Sequence, residues 1–414
     1  MIAKIKTFLI LSIFFFSAEI TIAQTDSLPS GVSLPSAQQK KEDSLATQKD
    51  ILDILHQLFH KKGVVKTVSV PKQFIFSVVP SAGYTLSTGL AVGLTGNVAF
   101  FVEPKEHENL SSIVSNLGYN QHSQLTFHTG SNIWTKDNKF NLVGDWRIYQ
   151  FPENTYGLGS ASPLADLNPI KYDFIRFYET VLKELTKNFY GGIGYALDYH
   201  YNIVQNGSTT QAITGYQLYG QTSKSVSSGI TYNLLYDNRK NSINPQSGTY
   251  ANLIYRPNLT WLGSDSRWRS LTFDFRKYIP LSKNGKSLLA FWTLDVFTLS
   301  GHPPYLDLPS TGWDMGGNTG RGYVQGRFRG TDMLYAEAEY RVDLTKNGLL
   351  GGVLFVNGES FSNSPATRFQ KIQPGYGPGL RIKFNKRSDT NIAIDYGIGQ
   401  GGSRGFFVNL GEVF

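Results

Sequence analysis

From about Lys72 to the end of the chain, apolar and polar residues alternate with a period of two. In Ile193–Tyr201, Ile193, Tyr195, Leu197, Tyr199 and Tyr201 oppose Gly194, Ala196, Asp198 and His200. In Leu334–Val342, Leu334, Ala336, Ala338, Tyr340 and Val342 oppose Tyr335, Glu337, Glu339 and Arg341. Gly379–Phe384 and Asn391–Ile398 follow the same rule, with Arg381, Lys383 and Asp395 on the polar face. Period two with one apolar and one charged face describes sheets that meet apolar material on one side only. The pattern predicts strands near 73–80, 88–102, 109–119, 123–134, 139–150, 171–185, 189–203, 225–236, 247–259, 267–279, 286–299, 331–343, 350–359, 375–385, 389–398 and 404–414. Short connections (Thr135–Asn138, Thr186–Asn188, Lys346–Gly348, Asn385–Ser388) alternate with long ones (Phe151–Ile170, Val204–Lys224, Ser300–Gly330, Phe361–Pro374).

A soluble sandwich places its charged face outward, whereas a membrane barrel inverts the arrangement. Alternation alone does not separate the two. An even strand number, strand lengths near a membrane crossing, and tyrosines near strand ends favour the barrel, with short turns periplasmic and long loops outside.

The residues before the strands read as export and attachment. Lys4 and Lys6 precede a short apolar core, Phe8–Phe16, and the small residues Ala18–Ala23 suggest cleavage after Ala23, so 1–23 is a signal peptide. Residues 24–71 form a tether, rich in Ser, Pro and Gln at first, with an amphipathic helix expected over 44–61. Residues 72–414 are the barrel.

Composition narrows the class. The chain has 42 Gly, 14% aromatic and only 17% charged residues, which fits many strands facing lipid. Cys is absent, which excludes disulfides, thiolate metal sites and a lipid-anchored cysteine. The net charge of +8 could suit an anionic membrane, and no nucleic-acid motif accompanies it.

One stretch breaks the alternation. Met315–Glu339 (MGGNTGRGYVQGRFRGTDMLYAEAE) is polar and glycine-rich, carries Arg321, Arg327 and Arg329, and runs into a strand with two acids. A segment that folds back into a polar cavity and is pinned there by charge needs these features, because a buried arginine must find an acid or several carbonyls.

Three motifs resemble the BamA/TamA superfamily of sixteen-stranded outer-membrane barrels, which includes the two-partner-secretion transporters. Asp237-Asn-Arg239, with Asn244-Pro245 and Gly248, looks like that family's D-x-R…P-x-x-G turn. Gly320-Arg321-Gly322-Tyr323 resembles the tip of its sixth extracellular loop, whose arginine pairs with acids on the next strands. By motif matching the candidate partners of Arg321 are Glu339 and Asn357, which stands where the family has aspartate, with Glu359 and Glu337 as substitutes. The end of the chain, with Phe406, Val408, Leu410 and Phe414 on one face, resembles a barrel-recognition signal, and Gly411 resembles the glycine that weakens the family's last strand.

The resemblance covers about 72–414 and implies an all-β, 16-stranded antiparallel transmembrane β-barrel. The chain departs from the family before it, since 24–71 is too short to hold even one of the family's usual POTRA domains, and a short N-terminal amphipathic helix is expected there instead. The resemblance further implies an outer-membrane location and help with insertion or translocation of polypeptide or lipid through a seam between first and last strands. Partners would be outer-membrane lipid, an unfolded outer-membrane protein or secreted client, and an accessory protein or second copy. The alternative is a passive pore or structural barrel, since fold does not settle function. Catalysis finds little support: no G-x-S-x-G elbow is present, and His56 and His60 lack a third metal ligand. No cofactor, metal or catalytic residue is expected.

Overall fold

The computed structural model describes residues 47–51, 53–54, 74–85, 89–102, 109–282, 286–363 and 368–414. The predicted signal peptide, most of the tether, His56 and His60 lie outside the described residues.

Sixteen strands build one wall: β1 (Phe74–Thr85), β2 (Gly89–Phe100), β3 (Ser111–Asn120), β4 (Leu125–Trp134), β5 (Phe140–Thr155), β6 (Asn168–Thr186), β7 (Phe189–Gln205) and β8 (Ser225–Asp237). They continue as β9 (Gly248–Asn258), β10 (Trp268–Pro280), β11 (Ser287–Gly301), β12 (Met333–Asp343), β13 (Leu350–Asn363), β14 (Gln373–Asn385), β15 (Thr390–Gly399) and β16 (Arg404–Leu410). Each pairs antiparallel with the next in chain order. Arg368–Phe369 adds a two-residue pairing to the end of β13.

The alternation resolves as an inverted sheet. On β7, Ile193 is 61% exposed while Asp198 and His200 are buried. On β12 and β13, Leu334, Tyr340, Leu354 and Val356 face outward, and Glu337, Glu339, Arg341, Asn357 and Glu359 are buried inside. Lipid takes the place of a second apolar layer, and the charged face turns to the lumen. Lumenal charges pair along their own strands two residues apart, as in Asp145–Arg147 (2.8 Å) and Asp274–Arg276 (2.7 Å). Side chains at i and i+2 share a face of a strand, so these pairs follow from the pleat.

Three expectations need correction. β5 and β6 run past their predicted ends near 150 and 171, because the ladder continues from Phe151–Tyr172 to Thr155–Asn168. There Phe151, Tyr172 and Phe174 pack on Tyr305 and Leu308 of the β11–β12 loop. β16 stops at Leu410 rather than Phe414. Finally, 44–61 is not one continuous helix, since residues 48–50 are non-helical. Asp50 accepts from the Asp53 N–H (2.9 Å) and Asp53 accepts from the Asp50 N–H (3.1 Å), so Asp50 caps a new helical turn at Ile51.

The first and last strands meet without a ladder. Cα atoms of β1 and β16 approach within 8 Å, yet no backbone hydrogen bond joins them among the described residues.

Candidate functional site: a lumenal clamp beside the seam

The site is built by the β11–β12 loop (302–332), which enters the lumen and brings Arg321 to complete burial. Arg321 Nη2 donates to Glu337 and Glu339 of β12, and Nη1 donates to Asp395 of β15. Its guanidinium carbon lies 3.8 Å from the centre of the Phe355 ring on β13. Burial alone would push the Arg321 pKa down, but the three acids push it up by more, so the guanidinium stays charged. The clamp joins strands on both sides of β13 and β14.

Of the partners expected from motifs, Glu337 and Glu339 contact the Arg321 guanidinium. Asn357 instead donates from Nδ2 to the Arg321 carbonyl at 3.0 Å, and Glu359 accepts from Thr311 Oγ1 at 2.9 Å. The amide therefore holds the backbone of the tip, while Asp395 supplies a charge on the arginine. Parity placed Asp395 in the lumen, but nothing in the motifs assigned it to Arg321.

The close fit depends on a glycine-lined wall that sequence reasoning passed over. A Cβ on Gly375 would stand 2.4 Å from the Arg321 carbonyl, and one on Gly397 would stand 2.6 Å from the Gly322 nitrogen. Gly375, Gly377 and Gly379 on β14, with Gly397 and Gly399 on β15, occupy alternate lumenal positions. That spacing was the available signal: glycine repeating at period two clears a strip of wall for another backbone. Tyr323 closes the tip, donating from its hydroxyl to the Pro374 carbonyl at 2.7 Å.

The other loop arginines pin the loop toward the β5–β6 connection. Arg329 donates to Glu153 at 2.9 Å and to the carbonyls of Tyr305, Leu306 and Leu308. Arg327 donates to the Ser162 carbonyl at 2.8 Å.

The end of the chain is the second part of the site. Phe406 and Val408 face outward from β16. Gly411 adopts φ 102°, a left-handed conformation that glycine takes without steric cost, and the chain turns inward. Phe414 therefore does not share the lipid face of Phe406. It is buried inside, stacked on Trp292 at 5.2 Å, with the Arg341 guanidinium 5.0 Å above its ring. Glu412 accepts from Arg381 Nε at 2.7 Å and from Asn391 Nδ2 at 2.7 Å. On the wall this carboxylate would meet lipid, while inside it finds a cation.

Both parts join in one network. Arg341 donates to Glu339 (2.6 Å), Arg381 donates to Asp395 (2.6 Å), and Asn318 of the loop donates to the Val413 carbonyl (2.8 Å). The acids are engaged by guanidinium groups, and no group of His, Asp and Glu among the described residues is placed to hold a metal. A second cluster joins Ser227, Asp307 and His200, but Ser227 donates to Asp307, and His200 Nδ1 lies 3.3 Å from the other carboxylate oxygen. With the acid between them, the imidazole is not placed to take the serine proton.

The β8–β9 turn motif lies at the short-turn end. Arg239 donates to both carboxylate oxygens of Asp237 (2.9 and 2.8 Å) and stacks 4.2 Å over Tyr250. Pro245 lies within the turn, and Gly248, at φ 111°, closes it.

Among solved structures, BamA from Haemophilus ducreyi lacking POTRA domains 1-3 matches with TM-score 0.50 and 16% identity over 80% of this chain and 69% of that one. CdiB from Acinetobacter baumannii matches with TM-score 0.53 and 13% identity over 82% of this chain. CdiB from Escherichia coli matches with TM-score 0.53 and 11% identity over 80% of this chain. The match spans 60% of the length of either CdiB, and these identities speak for the fold alone. No curated protein sequence matches. The Omp85 superfamily domain profile matches residues 112–414, which takes in the loop tip, its acid partners and the last strand, and the chain belongs to the Omp85 superfamily.

Proposed function

We propose that this protein is an outer-membrane barrel that helps insert or translocate polypeptide, or lipid, through the β1–β16 seam. The observation that carries the reading is the unpaired seam, together with the departure of the chain from the wall at Gly411. An unpaired strand edge can template another strand. Here that edge belongs to β1 as well as β16, and outward-facing Phe76 and Val408 place lipid beside it. BamA and the two CdiB proteins supply the fold-level analogy. In this reading residues 1–23 direct export and are removed, and the turn capped by Asp50 sits at the periplasmic end. There Lys386 pairs with Asp53 at 2.7 Å.

A passive pore would need a clear lumen, whereas the β11–β12 loop and the tail both enter it. Reconstitution separates the two readings. Full-length protein in liposomes should accelerate membrane insertion of an urea-unfolded outer-membrane barrel while passing little steady current. Steady conductance with no acceleration of insertion would overturn the assembly reading.

A further inference from the structure

We infer that the β8–β9 turn is a strap that staples the two sides of the seam together at the short-turn end. The turn, residues 238–247, starts on the wall at β8 and reaches both flanks of the seam.

Its base is rigid. The Asp237–Arg239 pair fixes the exit from β8, and Asn238 and Thr249 exchange hydrogen bonds at 3.1 and 2.6 Å. Within the turn, Asn241 Oδ1 accepts from the Ile243 N–H at 2.8 Å and from the Asn244 N–H at 3.3 Å, which holds the tip in one shape.

From that tip two sets of contacts diverge. Toward the last strands, Asn241 Nδ2 donates to the Ser388 carbonyl (3.0 Å) and Asn244 Nδ2 to the Asp389 carbonyl (3.1 Å). The Ile243 carbonyl accepts from the Glu412 N–H at 2.9 Å. Toward the first strands, the Ile243 side chain is buried with Ala99 and Leu110, and Ile75 of β1 packs against them. The Leu110 N–H donates to the Lys240 carbonyl at 3.4 Å. Ile243 thus touches the β1 side with its side chain and the β16 side with its carbonyl, across a gap that no strand pairing closes. Separating the strands at this end must break one set or the other. The strap would act in a pore or an insertase alike, so it does not rest on the assembly reading.

The chain has no cysteine, so spin labels can be placed freely. One pair goes on outward-facing Phe76→Cys and Val408→Cys of the full-length protein, and their distance distribution is read by pulsed electron resonance. Ile243→Asn should broaden and lengthen that distribution, and Asn241→Ala with Asn244→Ala should do so independently. Ile213→Asn, on an exposed loop at the other end, should leave it unchanged. An Asn241→Cys, Ser388→Cys disulfide should narrow it, and reduction should reverse the narrowing. An unchanged distribution in both loosened variants, each shown to be folded by heat-modifiable gel mobility, would overturn the proposal.

Discussion

Arg381 and Glu412 meet at 2.7 Å, an ion pair between the lumenal wall and a residue that has left the wall. Through Asp395 and Glu339 the same network reaches Arg321, so the tail and the β11–β12 loop share their charged partners. Replacing Glu412 by Ala leaves Arg341 and Arg381 short of an acid. Losing one partner of a buried pair costs about 3–5 kcal/mol. Amide exchange across 411–414 should rise by about a hundredfold or more, measured by mass spectrometry on the folded protein.

Arg321→Ala would leave Glu337, Glu339 and Asp395 facing one another without the central cation. The loop should detach, read as new protease cleavage within 315–330. Arg321→Lys should rescue poorly, because an ammonium lacks the planar fork that reaches acids on two strands. Full protection in the lysine variant would show that charge alone holds the loop.

The glycine wall gives a steric test. Gly375→Ala places a methyl 2.4 Å from the Arg321 carbonyl, and the loop must shift to admit it. A Cβ at Gly96 meets nothing within 4 Å, so Gly96→Ala is the matched control. Loop protection from protease should fall in the first variant and hold in the second.

Asp307 makes the docking of the loop pH-dependent. Burial, then the negative charge of Asp198, raise its carboxyl from an ordinary 3.8 to about 7. Around it stand His200 and Asp198 of β7, Ser227 of β8, Arg256 of β9 and Arg176 of β6. The docked state binds the proton more tightly than the released state. Its contribution is therefore complete below about pH 4 and is lost as pH rises through about 7. Exchange across 303–309, corrected for the intrinsic rate, should be faster at pH 8 than at pH 5, and Asp307→Asn should flatten that difference.

The wall was legible because a pleated strand exposes alternate residues to two solvents, and each strand records that in its own sequence. Leu354 beside Asn357 and Ile193 beside Asp198 needed no partner to be placed. Arg321 and Arg329 were legible as buried cations for a similar reason, since their cost demands acids nearby. The identity of those acids was not, because Asp395 lies 74 residues from Arg321 in sequence and meets it only once the wall has curled. The inward turn at Gly411 escaped too. Alternation runs on to Phe414, and only Glu412, a charge on a lipid-facing parity, hinted that the strand ends early. Asp50 hid in a helical pattern because its role as a cap depends on local hydrogen bonding rather than on periodicity.

The seam itself is tested most directly by locking it. Cysteines at Phe76 and Val408 in the full-length protein, with neighbouring positions screened for disulfide geometry, would join β1 to β16. Insertion of an unfolded barrel into liposomes would then be measured before and after reduction. A working seam requires that the locked protein lose activity and that reduction restore it. Full activity in protein shown to be completely cross-linked would contradict a working seam.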